Sequence, residues 1–105
     1  MTRVLVIDDE APILRALRIN LTARKYEVAV ATDGASGLAA MARERPDVLI
    51  LDLGLPDMDG TEVIRGVRGW TSTPIIVLSA WGQEGQKVAA LDALLAHKER
   101  ELLEL

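Results

Sequence analysis

Residues 48–60 read VLILDLGLPDMDG, and this stretch decides the fold. Its first four residues are apolar and run without interruption into Asp52, a pattern typical of a strand buried on both faces of a sheet. Gly54, Pro56 and Gly60 then supply the backbone angles that turns require. The stretch therefore predicts a strand whose end carries Asp52, at the edge where open α/β sheets bind ligands. A simple cap of a strand or helix is the alternative role for this aspartate.

A second apolar run, Val4–Ile7, ends in the acidic residues Asp8, Asp9 and Glu10. If the two runs form neighbouring parallel strands, Asp8 and Asp9 lie beside Asp52 at one edge of the sheet. Carboxylates that are crowded together repel one another, so they need a cation or raised pKa values. Oxygen ligands without histidine or cysteine suit Mg²⁺, which binds a few carboxylates and keeps several waters.

The composition excludes several classes of protein. A chain of 105 residues forms one domain. It has no cysteine and one histidine, His97, which excludes disulfides and thiol catalysis and argues against a catalytic triad or a multi-histidine metal site. The net charge of −4 argues against direct nucleic-acid binding by this chain. We find no signal peptide and no apolar stretch of membrane-spanning length, and we therefore expect a cytoplasmic protein without membrane contact.

Strands and helices alternate along the chain. The apolar and turn patterns predict strands at 3–7, 26–31, 48–52 and 74–80, and helices at 11–24, 35–45 and 61–67. Such an alternation favours an α/β fold in which right-handed crossovers place helices on both faces of a parallel sheet.

Ser79 is a third residue of interest, because it ends the predicted fourth strand as Asp52 ends the third. Its hydroxyl is expected to open at the same edge of the sheet. Serine at such a position is often only a helix or turn cap. The alternative is a hydroxyl that hydrogen-bonds an oxyanion placed on Asp52.

Three motifs together resemble the receiver domain of two-component response regulators. They are VLVIDDE at 4–10, PDVLILDLGLPDMDG at 46–60 and PIIVLSA at 74–80, in the order and spacing of that family. The resemblance covers about residues 2–93 and is strongest to the OmpR-like branch and its KdpE type. It implies a flavodoxin-like (CheY-like), doubly wound parallel sheet.

The resemblance also implies a function, and it assigns residues to it. Asp52 would accept a phosphoryl group from a sensor histidine kinase, as part of a phosphorelay that regulates transcription. Asp8 and Asp9 would hold Mg²⁺ together with Asp52 and the backbone carbonyl of Gly54. Ser79 would bond the phosphoryl group. Such a domain is a phosphoacceptor that assists its own phosphorylation, and it is not classed as an enzyme.

The chain departs from the family after residue 93. It has no counterpart of the family's Lys-Pro pair, and we expect the family's fifth strand, with its aromatic residue, and its fifth helix to be missing. We therefore expect residues 1–93 to form a receiver truncated to four strands, and residues 94–105 to extend the fourth helix. Apolar residues at three-four spacing then predict one long helix over residues 84–105 that holds a homodimer. The alternative is a helix packed on its own sheet.

Two other functions stay open on the sequence alone. A truncated or remodelled receiver could act as an interaction module with an impaired phosphorylation site, because the family's lysine is missing. A Mg²⁺-dependent phosphatase of similar topology would need an Asp-x-Asp pair after the first strand. The run Asp8-Asp9-Glu10 lacks that spacing, which disfavours the phosphatase.

Overall fold

The computed structural model describes residues 1–78 and the backbone of residues 102–104. Strands and helices alternate as predicted, and within residues 1–78 each end lies within one residue of its predicted place, except the carboxyl end of β4, which lies at the limit of the described residues. The strands are β1 (Arg3–Ile7), β2 (Glu27–Ala31), β3 (Val48–Asp52), β4 (Ile75–Leu78) and β5 (Leu102–Glu104), and the helices are α1 (Ala11–Ala23), α2 (Gly34–Glu44) and α3 (Gly60–Arg68).

All strands belong to one parallel sheet in the order β2-β1-β3-β4-β5. The strand β3 lies at the centre, and its five residues are all buried, as its uninterrupted apolar run predicts. Ile7 of β1 lies opposite Leu51, and Leu78 of β4 lies opposite Asp52. The carboxyl ends of the three strands therefore meet at one edge of the sheet.

Helices cover both faces of this sheet. The apolar stripe of α1, formed by Ile13, Leu17 and Leu21, packs against one face. The helices α2 and α3 pack against the other face, where Met41 and Val67 are buried. The doubly wound, flavodoxin-like class predicted from the sequence is confirmed. In the part of the chain that the structure describes, no helix is long and apolar enough to cross a membrane.

The sheet has one short strand beyond the four that the sequence predicts. Leu102–Glu104 pair in parallel with β4, with Leu102 opposite Ile75, so the prediction of a helix is wrong at these three residues. Without a neighbour, one edge of the buried strand β4 would present a row of unpaired N–H and C=O groups, which β5 satisfies. The rest of the predicted helix, with the dimer contact assigned to it, lies outside the described residues. The domain division at residue 93 stays a prediction.

Candidate functional site

Asp52 is the last residue of β3 and sits at the carboxyl edge of the sheet, as predicted. The whole residue is only 3% exposed, which is unusual for a carboxylate. The backbone N–H of Gly54 donates a hydrogen bond of 3.2 Å to its Oδ1. Asp52 is thus almost buried, and one of its carboxylate oxygens is bonded to the loop that follows β3.

Asp8 continues β1 by one residue and is completely buried. Its backbone N–H donates to the carbonyl oxygen of Ala31 at 3.1 Å, which extends the pairing with β2. Its Oδ1 accepts a hydrogen bond of 2.9 Å from the N–H of Glu10. This bond between a side chain and the backbone two residues ahead is an Asx turn, and it directs the chain from β1 into α1.

The structure brings Asp8, Glu10 and Asp52 together. One carboxylate oxygen from each of the three residues lies within 4.8 Å of the others. The predicted closeness of Asp8 and Asp52 is therefore present. Asp9 is exposed, and its carboxylate does not belong to this group, whereas Glu10 does. Glu10 belongs to the acidic run of the sequence, but no feature of the sequence distinguishes Asp9 from Glu10 as a metal ligand.

The donor atoms of this group suit a small, hard cation. All three donors are carboxylate oxygens, and nitrogen or sulfur donors are absent from the group. Ca²⁺ usually takes six to eight oxygen ligands from the protein and water, whereas Mg²⁺ is bound through one or two carboxylates and keeps several waters. Three carboxylate oxygens are fewer than the ligands that Ca²⁺ takes and leave positions for the waters that Mg²⁺ keeps, so the group fits Mg²⁺ better.

The loop between β3 and α3 is closed at its base. Gly54 and Asp59 form an antiparallel bridge. The carboxylate of Asp59 caps α3 by accepting from the Thr61 N–H at 2.9 Å and from the Thr61 hydroxyl at 3.0 Å. Both bonds favour the ionised carboxylate and lower the pKa of Asp59 from its ordinary value of 3.8. The bond from the Thr61 backbone N–H has the larger effect, and the bond from the Thr61 hydroxyl has the smaller one.

The tip of the same loop is bonded to another helix. Asp57 accepts hydrogen bonds from the backbone N–H groups of Gly34 and Ala35, at 2.7 and 2.9 Å, in the first turn of α2. The bond from Gly34 is the main cause of the lowered pKa of Asp57, followed by the bond from Ala35. The sequence places Asp57 in the loop after β3 and gives no signal of its partners in α2.

Ser79 directly follows Leu78, the register partner of Asp52, and lies outside the described residues. A groove of about 370 Å³ occurs at the opposite end of the described part. It is lined by residues from the end of α2 and from the loop after α3, namely Met41, Arg45, Pro46, Trp70, Thr71 and Thr73. Because it holds no carboxylate, it offers no alternative to the acidic group as a metal site.

Residues 4–97 match the family profile of the response regulator receiver domain. The chain belongs to this family. The match covers most of the chain, and the acidic group of this receiver lies at the carboxyl edge of its sheet, at the ends of β1 and β3.

Among curated relatives, the receiver is 62% identical over 93 residues to the transcriptional regulatory protein KdpE of Mycobacterium tuberculosis, and 50% identical over 93 residues to the KDP operon transcriptional regulatory protein KdpE of Escherichia coli. In each case the alignment covers 89% of this chain and 41% of the relative, so the chain spans less than half their length.

Solved structures show the same fold. The chemotaxis protein CheY4 of Vibrio cholerae is 30% identical, with a TM-score of 0.77 over 91% of this chain and 98% of that chain. The similarity to KdpE and the CheY-like fold both agree with the predicted KdpE-like receiver of the OmpR-like branch.

Proposed function

We propose that this receiver accepts a phosphoryl group from a sensor histidine kinase on Asp52, with Mg²⁺ as cofactor. The observation that carries the proposal is the group of three carboxylates within 4.8 Å at the carboxyl edge of the sheet, with Asp52 at the end of the central strand. Membership of the receiver family and the 62% identity to a KdpE protein support it.

The chemistry is a transfer between two nucleophiles. A carboxylate oxygen of Asp52 attacks the phosphorus atom, the bond from phosphorus to the kinase's histidine nitrogen breaks, and an acyl phosphate forms on Asp52. The Gly54 N–H orients the carboxylate through its bond to Oδ1. When bound, Mg²⁺ offsets the repulsion between the incoming phosphoryl oxygens and the acidic group. Asp52 is consumed once per transfer, so the domain is a phosphoacceptor rather than an enzyme.

Four groups are proposed to hold the metal: the carboxylates of Asp8, Asp9 and Asp52, and the backbone carbonyl of Gly54. Glu10 is added as a further candidate, because its carboxylate lies in the group with Asp8 and Asp52. Ser79 is proposed to hydrogen-bond the phosphoryl group once it is on Asp52.

The wider role is inferred from the relatives. Two of them are named transcriptional regulatory proteins, and this chain covers 41% of their length. We infer that the receiver is the input part of a cytoplasmic phosphorelay that regulates transcription. Nucleic-acid contact would then belong to another part of the regulator, consistent with the net charge of −4 in this chain.

Intact-mass measurement tests the proposal. The protein is incubated with Mg²⁺ and acetyl phosphate, a small phosphodonor, and is then weighed before and after hydroxylamine, which cleaves acyl phosphates. We expect one phosphoryl group that hydroxylamine removes, and none in Asp52→Asn. Glu62→Gln, which removes an exposed carboxylate of α3, is the matched control and should label like the wild type. Labelling of Asp52→Asn at an unchanged level would refute the assignment.

The second candidate is a remodelled receiver that acts as an interaction module, possible because the Lys-Pro pair of the family is missing from the chain. Absence of any label in the wild type would favour it. Such a module is proposed to form a homodimer through residues 84–105, although Leu102–Glu104 take part in the sheet. Sedimentation of the wild type tests this, and a monomer would exclude it.

A further inference from the structure

The tip of the β3–α3 loop is attached to α2 by two kinds of contact. Asp57 bonds the Gly34 and Ala35 N–H groups through its two different carboxylate oxygens. Met58 packs over the same helix start so closely that a Cβ on Gly34 would lie 2.4 Å from its Cγ. Bonds from N–H groups to an ionised carboxylate are stronger than neutral ones, and the positive end of the helix dipole adds to them.

The base of this loop lies at the phosphoacceptor site. Gly54 donates to Asp52 Oδ1 and forms the bridge with Asp59, while the Gly60 N–H donates to the Leu53 carbonyl at 2.9 Å. The base is therefore tied to Asp52 at one side and to the start of α3 at the other. Asp57 is only three residues from Gly54. The two residues therefore belong to one short loop, with Gly54 at its base and Asp57 at its tip.

We propose that Asp57 is a positioning residue for the phosphoacceptor site, which it serves by anchoring the β3–α3 loop to α2 and thereby keeping Gly54 beside Asp52. This inference rests on the proposed function of Asp52. Asp57 does not touch the reacting atoms and acts through the backbone of the loop. Its two bonds join a loop and a helix that are 23 residues apart in the chain, and so they fix the loop relative to the body of the domain.

The alternative is that Asp57 only stabilises α2. That helix already has a capping residue of its own, because Asp33 accepts from the Ser36 N–H at 2.7 Å and from the Ser36 hydroxyl at 2.6 Å. Asp33 and Asp57 thus make two bonds each to the same helix end, but only Asp57 is in the loop. Asp33→Ala is therefore a matched control, since it removes a cap without releasing the loop.

Hydrogen exchange of the metal-free protein provides the first test. The Gly60 amide reports on the closure of the loop because it donates to Leu53. In Asp57→Ala we expect its exchange to be about tenfold faster than in Asp33→Ala, because local opening of the loop becomes easier. A loss of global stability would instead raise the exchange of protected amides throughout the fold, and not only that of Gly60. Equal exchange of the Gly60 amide in the two variants would overturn the inference.

Mg²⁺ titration, followed through the amide signals of Gly54 and Leu53, provides the second test. Binding should be about fivefold weaker in Asp57→Ala and within about twofold of the wild type in Asp33→Ala. Asp57→Asn keeps one acceptor oxygen and should fall between Asp57→Ala and the wild type. Unchanged affinity in Asp57→Ala would contradict a positioning role. A wild type that binds no Mg²⁺ would instead refute the proposed function, while the exchange comparison would still decide whether Asp57 holds the loop.

Discussion

The backbone N–H of Gly60 donates a hydrogen bond of 2.9 Å to the carbonyl oxygen of Leu53, and this bond joins the start of α3 to the end of β3. The two residues approach so closely that a Cβ on Gly60 would lie 2.6 Å from the Cα of Leu53 and 3.0 Å from the carbonyl oxygen of Asp52. The absence of a side chain at residue 60 is thus what allows the loop to close next to Asp52.

Gly60→Ala should destabilise the protein because two of the three nearest atoms that its Cβ would meet, the Cα of Leu53 and the carbonyl oxygen of Asp52, are backbone atoms, which cannot rotate away. We expect the free energy of unfolding to fall by about 1–3 kcal/mol in urea unfolding. Gly69→Ala is the control. Gly69 has φ −65° and ψ −20°, and its nearest contact would be 3.5 Å, so alanine should raise stability by about 0.4–1 kcal/mol. The same loss in both variants would show that Gly60 is not a place of close approach.

Gly37 allows α2 to approach β1, and a Cβ there would lie 2.5 Å from Cδ1 of Ile7. Gly37→Ala is expected to cost about 1–3 kcal/mol, although alanine is the better helix former. Ile7→Val removes Cδ1 and should cost about 0.5–1.5 kcal/mol alone. The double variant should be more stable than the sum of the two losses predicts, by at least about 0.5 kcal/mol. If the losses of the two single variants are additive in urea unfolding, the strain in Gly37→Ala does not arise from contact with Ile7.

Arg3 connects three elements at the amino end of the sheet. Its guanidinium bonds Glu27 at 3.0 Å, with both side chains nearly half exposed, and also bonds the Glu44 carbonyl at the end of α2 at 2.8 Å. Glu27→Gln removes only the exposed ion pair and should cost less than about 0.5 kcal/mol. Arg3→Met also removes the bond to the helix end and should cost about 1–1.5 kcal/mol. Equal costs in urea unfolding would mean that the bond to α2 contributes nothing.

Acid should destabilise the loop through Asp57 and Asp59. Their hydrogen bonds from Gly34 and Thr61 lower both pKa values below the ordinary 3.8. A lowered pKa in the folded state gives stability that is present above 3.8 and is lost as the pH falls through that value towards the folded pKa. The melting temperature of the double variant Asp57→Asn, Asp59→Asn should therefore fall less than that of the wild type between about pH 5 and pH 2.5. Parallel curves of melting temperature against pH would contradict the lowered pKa values.

Mg²⁺ should raise the melting temperature, because it binds the folded acidic group in preference to the unfolded chain. Asp9→Ala should abolish the rise if Asp9 is a ligand, as the family resemblance implies. Glu10→Gln should reduce it, since the Glu10 carboxylate lies within 4.8 Å of Asp8 and Asp52 and its charge attracts the cation. If Mg²⁺ raises the melting temperature of Asp9→Ala as much as that of the wild type, but does not raise that of Glu10→Gln, then Glu10 is the carboxylate that binds the metal together with Asp8 and Asp52.

The order and type of the elements up to Leu78 follow from the sequence alone, because apolar runs and helical spacing are local properties. The closeness of Asp8 and Asp52 also follows from it. Parallel strands align their carboxyl ends, so residues that end neighbouring strands come together wherever the strands pair. The choice between Asp9 and Glu10 does not follow, since it depends on the turn that Asp8 makes with the Glu10 N–H.

Tertiary structure alone decided the other features. Asp57 meets Gly34 across 23 residues of chain, and Leu102 reaches Ile75 to cover the edge of β4. Leu102 and Leu103 fit a helix by their spacing, yet their backbone pairs with the open edge of β4, whose N–H and C=O groups are thereby satisfied. Such contacts depend on which distant segments the folded chain brings together, and no local pattern of residues encodes that.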